Sequence, residues 1–178
     1  EISLYYDPMI AKLVTHGRDR PETIKKMRSA LDTFLIRGLN HNIGFLATLV
    51  SNEHFQSGDF NTNFIADEYP DGFQTNGNDP ENALILIVVG ASIHNSYQQR
   101  ANTIGGQISA PKPEISFDWV VKNRDGNVPV TVSARGNQYS VKVAKNTYEF
   151  HTDWRYGDPL IHGSINGKPV CIQLERTN

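Results

Sequence analysis

The constraint that most narrows the fold of this chain lies between Asn78 and Ile104. There, Ala83-Leu84-Ile85-Leu86-Ile87-Val88-Val89 is preceded by Asn-Asp-Pro-Glu-Asn and followed by a polar tail ending Tyr97-Gln98-Gln99-Arg100-Ala101-Asn102. Asp79 is a good N-cap, Pro80 suits the first helical position and Glu81 complements the helix dipole, so a helix is predicted to start here. Gly90 weakens its middle by about 1 kcal/mol without ending it, and the first firm stop is Gly105-Gly106. The helix expected over 80–104 is about 37 Å long. Its first turns are apolar on every face, and such a helix has to be enclosed by other elements, not laid against a single one. The same Ile- and Val-rich run also suits a buried strand; the start signal and the length favour the helix. The apolar run is far shorter than the roughly 20 residues of a membrane span. The reading is an axial helix inside a soluble antiparallel β-barrel, with the strands supplied by the chain that follows.

That chain changes to a period of two. Ile115, Phe117, Trp119 and Val121 alternate, Asp125-Gly126 turns, Val128, Val130 and Val132 alternate, Gly136-Asn137 turns, and Tyr139, Val141 and Val143 follow. Pro129 marks an edge or a bulge. Tyr148 and Phe150 mark a fourth strand and Trp154 the start of another. Leu160 to Ile165, the hairpin signal Asn166-Gly167 and Val170 to Leu174 complete about six short strands in meander order within 115–175. Each strand has one apolar and one wet face, and Phe117, Trp119, Tyr139, Tyr148 and Phe150 are expected mostly on the inner one. The pattern stops directly after a strand, so the barrel is expected to be incomplete, its edge left for further strands or a partner.

The first part of the chain reads differently. Ser3 to Thr15 is extended, with a break at Asp7-Pro8. Pro21 opens an amphipathic helix whose apolar stripe is Ile24, Met27, Leu31 and Phe34. Phe34-Leu35-Ile36 is expected to form a short strand closed by Gly38. A second helix starts near Asn42, carries Ile43, Phe45, Leu46 and Leu49, and stops at Ser51-Asn52. Two short elements follow, around Glu53 to Phe55 and from Asn61 to Tyr69, the latter capped by Thr62. Residues 70–79 are turn formers with little to bury, which places a linker between a domain at 1–69 and another at 80–178. The fold class expected is α+β, a small α/β remnant followed by the barrel.

Little chemistry is visible. With 17 basic and 19 acidic side chains and a formal charge of -2, the 178 residues carry no electrostatic case for nucleic acid or an anionic membrane. Cys171 has no second cysteine to bond with, which suits a reducing compartment. No signal peptide or membrane span is present, and a chain opening inside a strand without an initiator Met reads as a piece of something longer. Gly105-Gly106 lacks the Lys-Ser/Thr of a phosphate loop and reads as a helix stop. The histidines at 16, 41, 54, 94, 151 and 162 show no metal-ligand spacing, and His94 reads as a hydrogen-bonded core or groove residue. No Gly-x-Ser-x-Gly elbow occurs, and Cys171, in an alternating run with no nearby His, reads as inert. No metal-binding or catalytic residue is therefore expected. Asp7 and Lys12 interrupt an apolar strand, either as exposed charges on its edge or as an ion pair to another subunit or subdomain.

Several ordered blocks carry a resemblance. Tyr5-Tyr6-Asp7-Pro8-Met9-Ile10-Ala11-Lys12-Leu13-Val14, Arg20-Pro21-Glu22-Thr23-Ile24, Leu35-Ile36-Arg37-Gly38-Leu39-Asn40-His41-Asn42 and Phe55-Gln56-Ser57-Gly58 to Phe64-Ile65 resemble the last part of biotin carboxylase subunits. The remainder, from Tyr69-Pro70-Asp71-Gly72-Phe73 through Gln99-Arg100-Ala101 to Pro111-Lys112-Pro113, is similar to the middle module, or BT domain, of biotin-dependent acyl-CoA carboxylases of the propionyl type. The resemblance implies a parent α subunit that uses ATP, Mg and bicarbonate to carboxylate biotin, and a separate carboxyltransferase β subunit that passes the carboxyl group to an acyl-CoA. The nucleotide-grasping lobes and the biotin-bearing Ala-Met-Lys-Met segment are both missing, Met occurring only at 9 and 27, so this stretch is expected to hold no cofactor and to catalyse nothing alone. By the same resemblance, Asp7 lies near a subunit contact, where Lys12 is expected beside it, and Phe64 approaches the adenine of ATP. The loop Ile104 to Pro113, with Gly105, Gly106, Gln107, Ile108, Ser109, Pro111, Lys112 and Pro113, would be the hook onto the β subunit. Implied partners are that subunit and the biotin carboxylase and biotin carboxyl carrier domains of the same parent chain, with no nucleic acid and no membrane. The implied compartment is a bacterial cytoplasm or the mitochondrial matrix. A methylcrotonyl-CoA or other acyl-CoA carboxylase is the alternative parent, and a stand-alone ligand- or oligonucleotide-binding barrel the alternative class.

Overall fold

A computed structural model describes residues 7, 9–73, 80–103, 117–123 and 126–175, and the chain divides into two units, Glu1–Asn76 and Gly77–Asn178. In the first unit, α1 spans Arg20–Thr33 behind Asp19, whose carboxylate accepts the Glu22 N–H at 2.9 Å. Glu22 in turn accepts the Arg18 backbone N–H at 2.7 Å, the Arg18 guanidinium at 3.0 Å and the Lys26 ammonium at 3.2 Å. The backbone donor first, then the two cations, hold its carboxyl below the usual carboxylate range. Leu31 is buried with Ala47 and Val50 of α2, which spans Ile43–Ser51, and Ile24 and Met27 pack on that cluster. Phe34, expected on the same stripe, lies beyond the helix as its extended C-cap.

Asn52 ends α2 and begins α3 (Glu53–Ser57), its side-chain oxygen accepting the N–H groups of His54 at 2.9 Å and Phe55 at 3.2 Å. Gly58, left-handed at φ 86°, closes α3. Before α4 (Phe64–Glu68), the local side-chain bond is made by Asn61 and not by Thr62: its Oδ1 accepts the Asn63 N–H at 2.6 Å. The strands expected over Ser3 to Thr15 and Phe34 to Ile36 are not found among the described residues. A strand exists only where a second chain segment completes its ladder, and an extended stretch alone does not make one.

The second unit opens with α5, Pro80–Thr103, so Leu84 to Val89 is helical and not a buried strand. Six antiparallel strands follow in spatial order β1 to β6: Asp118–Asn123, Gly126–Arg135, Gln138–Val143, Asn146–Thr152, Leu160–Ile165 and Lys168–Gln173. Asn166 and Gly167 turn at φ 49° and 81°, the left-handed pair a two-residue hairpin needs. The β3–β4 turn places Ala144 at φ 54°, a position no sequence signal marks. Pro129 pairs with Val120 of β1 only, since β3 ends opposite Val130, so its missing N–H falls where β2 is locally an edge. Trp154 starts no strand. It sits in the loop before β5, its indole N–H donating to the Asp158 carbonyl at 2.9 Å.

The inner faces of the sheet meet one side of α5. Val130 and Val132, Tyr139 and Val141, Phe150, Ile161 and Ile165 form a single core with Ile87, Val88, Val89, Ala91 and Ile93. Complete burial of a Val, Ile or Phe contributes about 1.5–3 kcal/mol, and Val88, Val132, Val141, Phe150 and Ile161 all have no exposed surface. The Ser96 and Tyr139 hydroxyls lie 2.7 Å apart, and Lys168 meets Glu81 at 3.1 Å, tying helix to sheet at both ends. Asn95 is fully buried, and its amide has no hydrogen-bond partner among the described residues.

Two expectations are corrected. The helix is not enclosed on every face: Leu86, 58% exposed, and the exposed Gly90 and His94 recur at every fourth position and form an uncovered stripe. The cause is that the sheet curls into a half-barrel, with β1 and β6 at opposite ends of the strand order and unpaired to each other. Phe117, expected inside, is 50% exposed. It joins the ladder through its carbonyl, which accepts the Val132 N–H at 2.7 Å, but precedes the marginal strand β1.

Two glycines of this unit are expected to respond oppositely to alanine. A Cβ on Gly163 would press on the His151 carbonyl oxygen and sit 2.8 Å from Phe150 Cε2, so Gly163→Ala should destabilise the unit by about 1–3 kcal/mol. A Cβ on Gly90 meets nothing within 4 Å, so Gly90→Ala should stabilise it by about 1 kcal/mol through helix propensity. Urea unfolding of both variants beside the parent sequence checks the two signs.

Candidate functional site

The residues expected to matter fall into three places. Gly105, Gly106, Gln107, Ile108, Ser109, Pro111, Lys112 and Pro113 lie outside the described residues. Asp7 and Lys12 are exposed, and neither makes an ion pair among the described residues; the Asp7 carboxylate accepts the Met9 N–H at 2.9 Å, a local turn contact. Phe64 is buried at 8% exposure in a ring cluster, with centroids 5.5 Å from Phe60 and 6.2 Å from Phe55.

That cluster has a charged lid. The Arg20 guanidinium lies 5.1 Å from the Phe55 centroid and 5.5 Å from that of Phe60, and it donates to the carbonyls of Phe55 and Gln56. One arginine thus joins the start of α1 to the end of α3 through stacking and carbonyl capping. Beside it, an open groove of the first unit is lined by Met9, Ile10, Leu13, Leu31, Leu46 and Leu49. Its surface is mainly apolar and offers a place for packing, and Asp7 and His41 also line it.

The second unit assembles a group that spacing does not reveal. At the C-terminal end of α5 the Tyr97 ring lies 4.8 Å from Tyr156 and 5.8 Å from Trp154, and the Arg100 guanidinium lies 4.4 Å from the Tyr156 centroid. Tyr97 and Arg100 are neighbours on one helix face, whereas Trp154 and Tyr156 come from the β4–β5 loop. That loop is held by the Arg155 N–H to the Asp158 carboxylate at 3.1 Å and the Trp154 N–H to the Thr152 hydroxyl at 3.1 Å. The only sequence hint was the pair Tyr97 and Arg100 three residues apart; the loop partners arrive through the sheet. On the uncovered stripe, His94 stands edge-on to Trp119 with centroids 4.6 Å apart. Among the described residues no group of three or more His, Cys, Asp or Glu could hold a metal ion, and no helix is long and apolar enough to cross a membrane.

Two family models match. Residues 1–67 match the biotin carboxylase C-terminal domain, and residues 86–178 match the propionyl-coenzyme A carboxylase BT domain. The chain is similar to the mitochondrial propionyl-CoA carboxylase alpha chain of Rattus norvegicus, 34% identical over 97% of this chain and 24% of that one. To the propionyl-CoA carboxylase alpha chain of Ruegeria pomeroyi it is 35% identical over 98% of this chain and 26% of the other. A mitochondrial methylcrotonoyl-CoA carboxylase subunit alpha of Dictyostelium discoideum is 49% identical, but over 36% of this chain and 9% of its own length. The chain thus spans about a quarter of the length of the first two relatives.

Because Phe64 is a core residue of the first unit, its truncation should act on folding before anything else. Phe64→Ala is expected to cost roughly 3–5 kcal/mol of that unit's stability, and Phe64→Leu much less. Far-ultraviolet circular dichroism during urea unfolding measures the difference.

Proposed function

The chain belongs to the family of the propionyl-coenzyme A carboxylase BT domain, and from that premise we propose that it is the segment of an acyl-CoA carboxylase α subunit that joins biotin carboxylase to the carboxyltransferase β subunit. The observation that carries this reading is an axial helix clasped by a half-barrel, largely within the 86–178 match, the helix ending at Thr103 just before the hook in sequence. A glycine-started, proline-stiffened segment loses less entropy on docking than a floppy one, which supports Gly105 to Pro113 as the hook.

In this reading the parent takes ATP, Mg, bicarbonate and biotin, and this segment performs assembly without chemistry of its own. Residues 1–69 complete the biotin carboxylase domain, 70–79 connect, and 80–178 are the joining module. Asp7 and Lys12, exposed and without ion-pair partners among the described residues, are available to a subunit contact. The Phe64 contact with adenine belongs to the complete parent, and the apolar groove of the first unit suits coverage by the rest of that domain. The parent would work in a bacterial cytoplasm or a mitochondrial matrix. Propionyl-CoA is the favoured acyl substrate because the relatives that span nearly the whole chain carry that name. The methylcrotonyl alternative is favoured by the 49% identity of one relative, over a much shorter match.

The decisive experiment is reconstitution of the complete α subunit with its β subunit. Deletion of 105–113 should abolish β-subunit capture while leaving the circular dichroism spectrum and melting temperature unchanged. Capture at the original affinity would refute the hook. Carboxylation rates of the intact complex with propionyl-CoA and methylcrotonyl-CoA then decide the substrate.

A further inference from the structure

The group at the C-terminal end of α5 has the composition of an interface hot spot. Tyr, Trp and Arg are the side chains most enriched where proteins bind tightly, because each offers a large rigid contact at small entropic loss. Here Tyr97, Trp154 and Tyr156 form one aromatic surface, with Tyr156 50% exposed, and the Arg100 guanidinium is held 4.4 Å from the Tyr156 centroid. Arg100 is exposed and makes no salt bridge among the described residues. The nearest acidic members of the loop are already used: Asp158 accepts the Arg155 N–H at 3.1 Å and Asp153 accepts from Asn137 at 3.3 Å. An exposed guanidinium stacked on a ring, with no salt bridge among the described residues, is suited to a carboxylate, which it binds through two parallel hydrogen bonds. Its place in the sequence also fits: Arg100 stands in the last turn of α5, five positions before Gly105.

We propose that Tyr97, Arg100, Trp154 and Tyr156 form a docking platform for an acidic side chain of the carboxyltransferase β subunit, built from residues other than those of the proposed hook. This rests on the joining function proposed above and adds the chemistry of the partner. Arg100 supplies the paired hydrogen bonds, the two tyrosines and Trp154 exclude water around the pair, and the loop bonds of Asp158 keep Tyr156 under the guanidinium.

The test uses the complete α subunit and its β subunit, with equilibrium binding measured at low and moderate salt. Arg100→Gln should weaken binding by about tenfold or more and flatten its salt dependence. Arg100→Lys should recover only part of the loss, because an ammonium neither stacks nor forks. Tyr156→Ala should weaken binding comparably, and melting temperatures of all three should stay with the parent. Unchanged affinity in Arg100→Gln and Tyr156→Ala, with binding abolished by deletion of 105–113, would overturn the platform and leave the joining function standing. Unchanged affinity in all of these, the deletion included, would overturn both. Weakening with an unaltered salt dependence would overturn the acidic partner.

Discussion

Burial of the apolar half of α5 under the inner face of the sheet is the interaction on which the second unit depends. A helix of 24 residues holding Gly90 and three β-branched valines and isoleucines in succession has weak intrinsic propensity and gains its stability from packing. The strands are equally dependent. Six short hairpin-linked strands with one wet face bury nothing unless something fills their concave side. Val88 against the completely buried Val132, Val141, Phe150 and Ile161 is therefore one contact seen from two sides, and neither element is expected to persist without the other.

The same interaction explains what remains uncovered. A sheet whose order runs β1 to β6 without closing covers one side of a cylinder, so Leu86, Gly90 and His94 face outward. Gly90 falls on this stripe, where the absence of a side chain costs helix propensity but leaves no hole in the core. The two end strands carry residues that discourage stray pairing, Lys122 on β1 and Lys168 with Pro169 on β6. Asn95 departs from the apolar logic, as does the buried Trp119 indole N–H, neither having a hydrogen-bond partner among the described residues. An unpartnered buried amide costs about 1–3 kcal/mol, and the core around Val88 is large enough to bear it.

What could be read from the sequence was local or strictly periodic. The helix at Pro80–Thr103 and the six strands were legible because a run's period and its flanking turn residues lie within a few positions of each other, as at Asn166-Gly167. The β3–β4 turn was not, since Ala144 adopts φ 54° without the glycine or asparagine that would mark it. Among the described residues of Ser3 to Thr15 and Phe34 to Ile36 no strand forms, for a different reason. Alternation describes a side-chain pattern, whereas a strand needs hydrogen-bond partners that pattern cannot supply. The incomplete barrel was legible, but enclosure of the helix on every face was not met, because how far paired strands curl is encoded by no single strand. At the candidate site, Arg100 and Tyr97 were on view as helix neighbours, but Trp154 read as a strand start, and its meeting with Tyr97 is a product of the whole sheet.

This last point joins the core to the proposed docking surface. Tyr97 and Arg100 are positioned by the helix, Trp154 and Tyr156 by the loop between β4 and β5, and the two pairs meet through ring and guanidinium contacts. Their registration is set by Phe150 and Ile161, the fully buried residues of the strands on either side of the loop, packed in the same core as α5. Side chains in such a core occupy discrete arrangements and do not slide continuously, so the spacing between Arg100 and the Tyr156 ring is fixed by burial some residues away. In the proposed joining role the module would gain its precision from the apolar face it hides, and a partner that binds only the assembled surface would select the folded module over any loosened one.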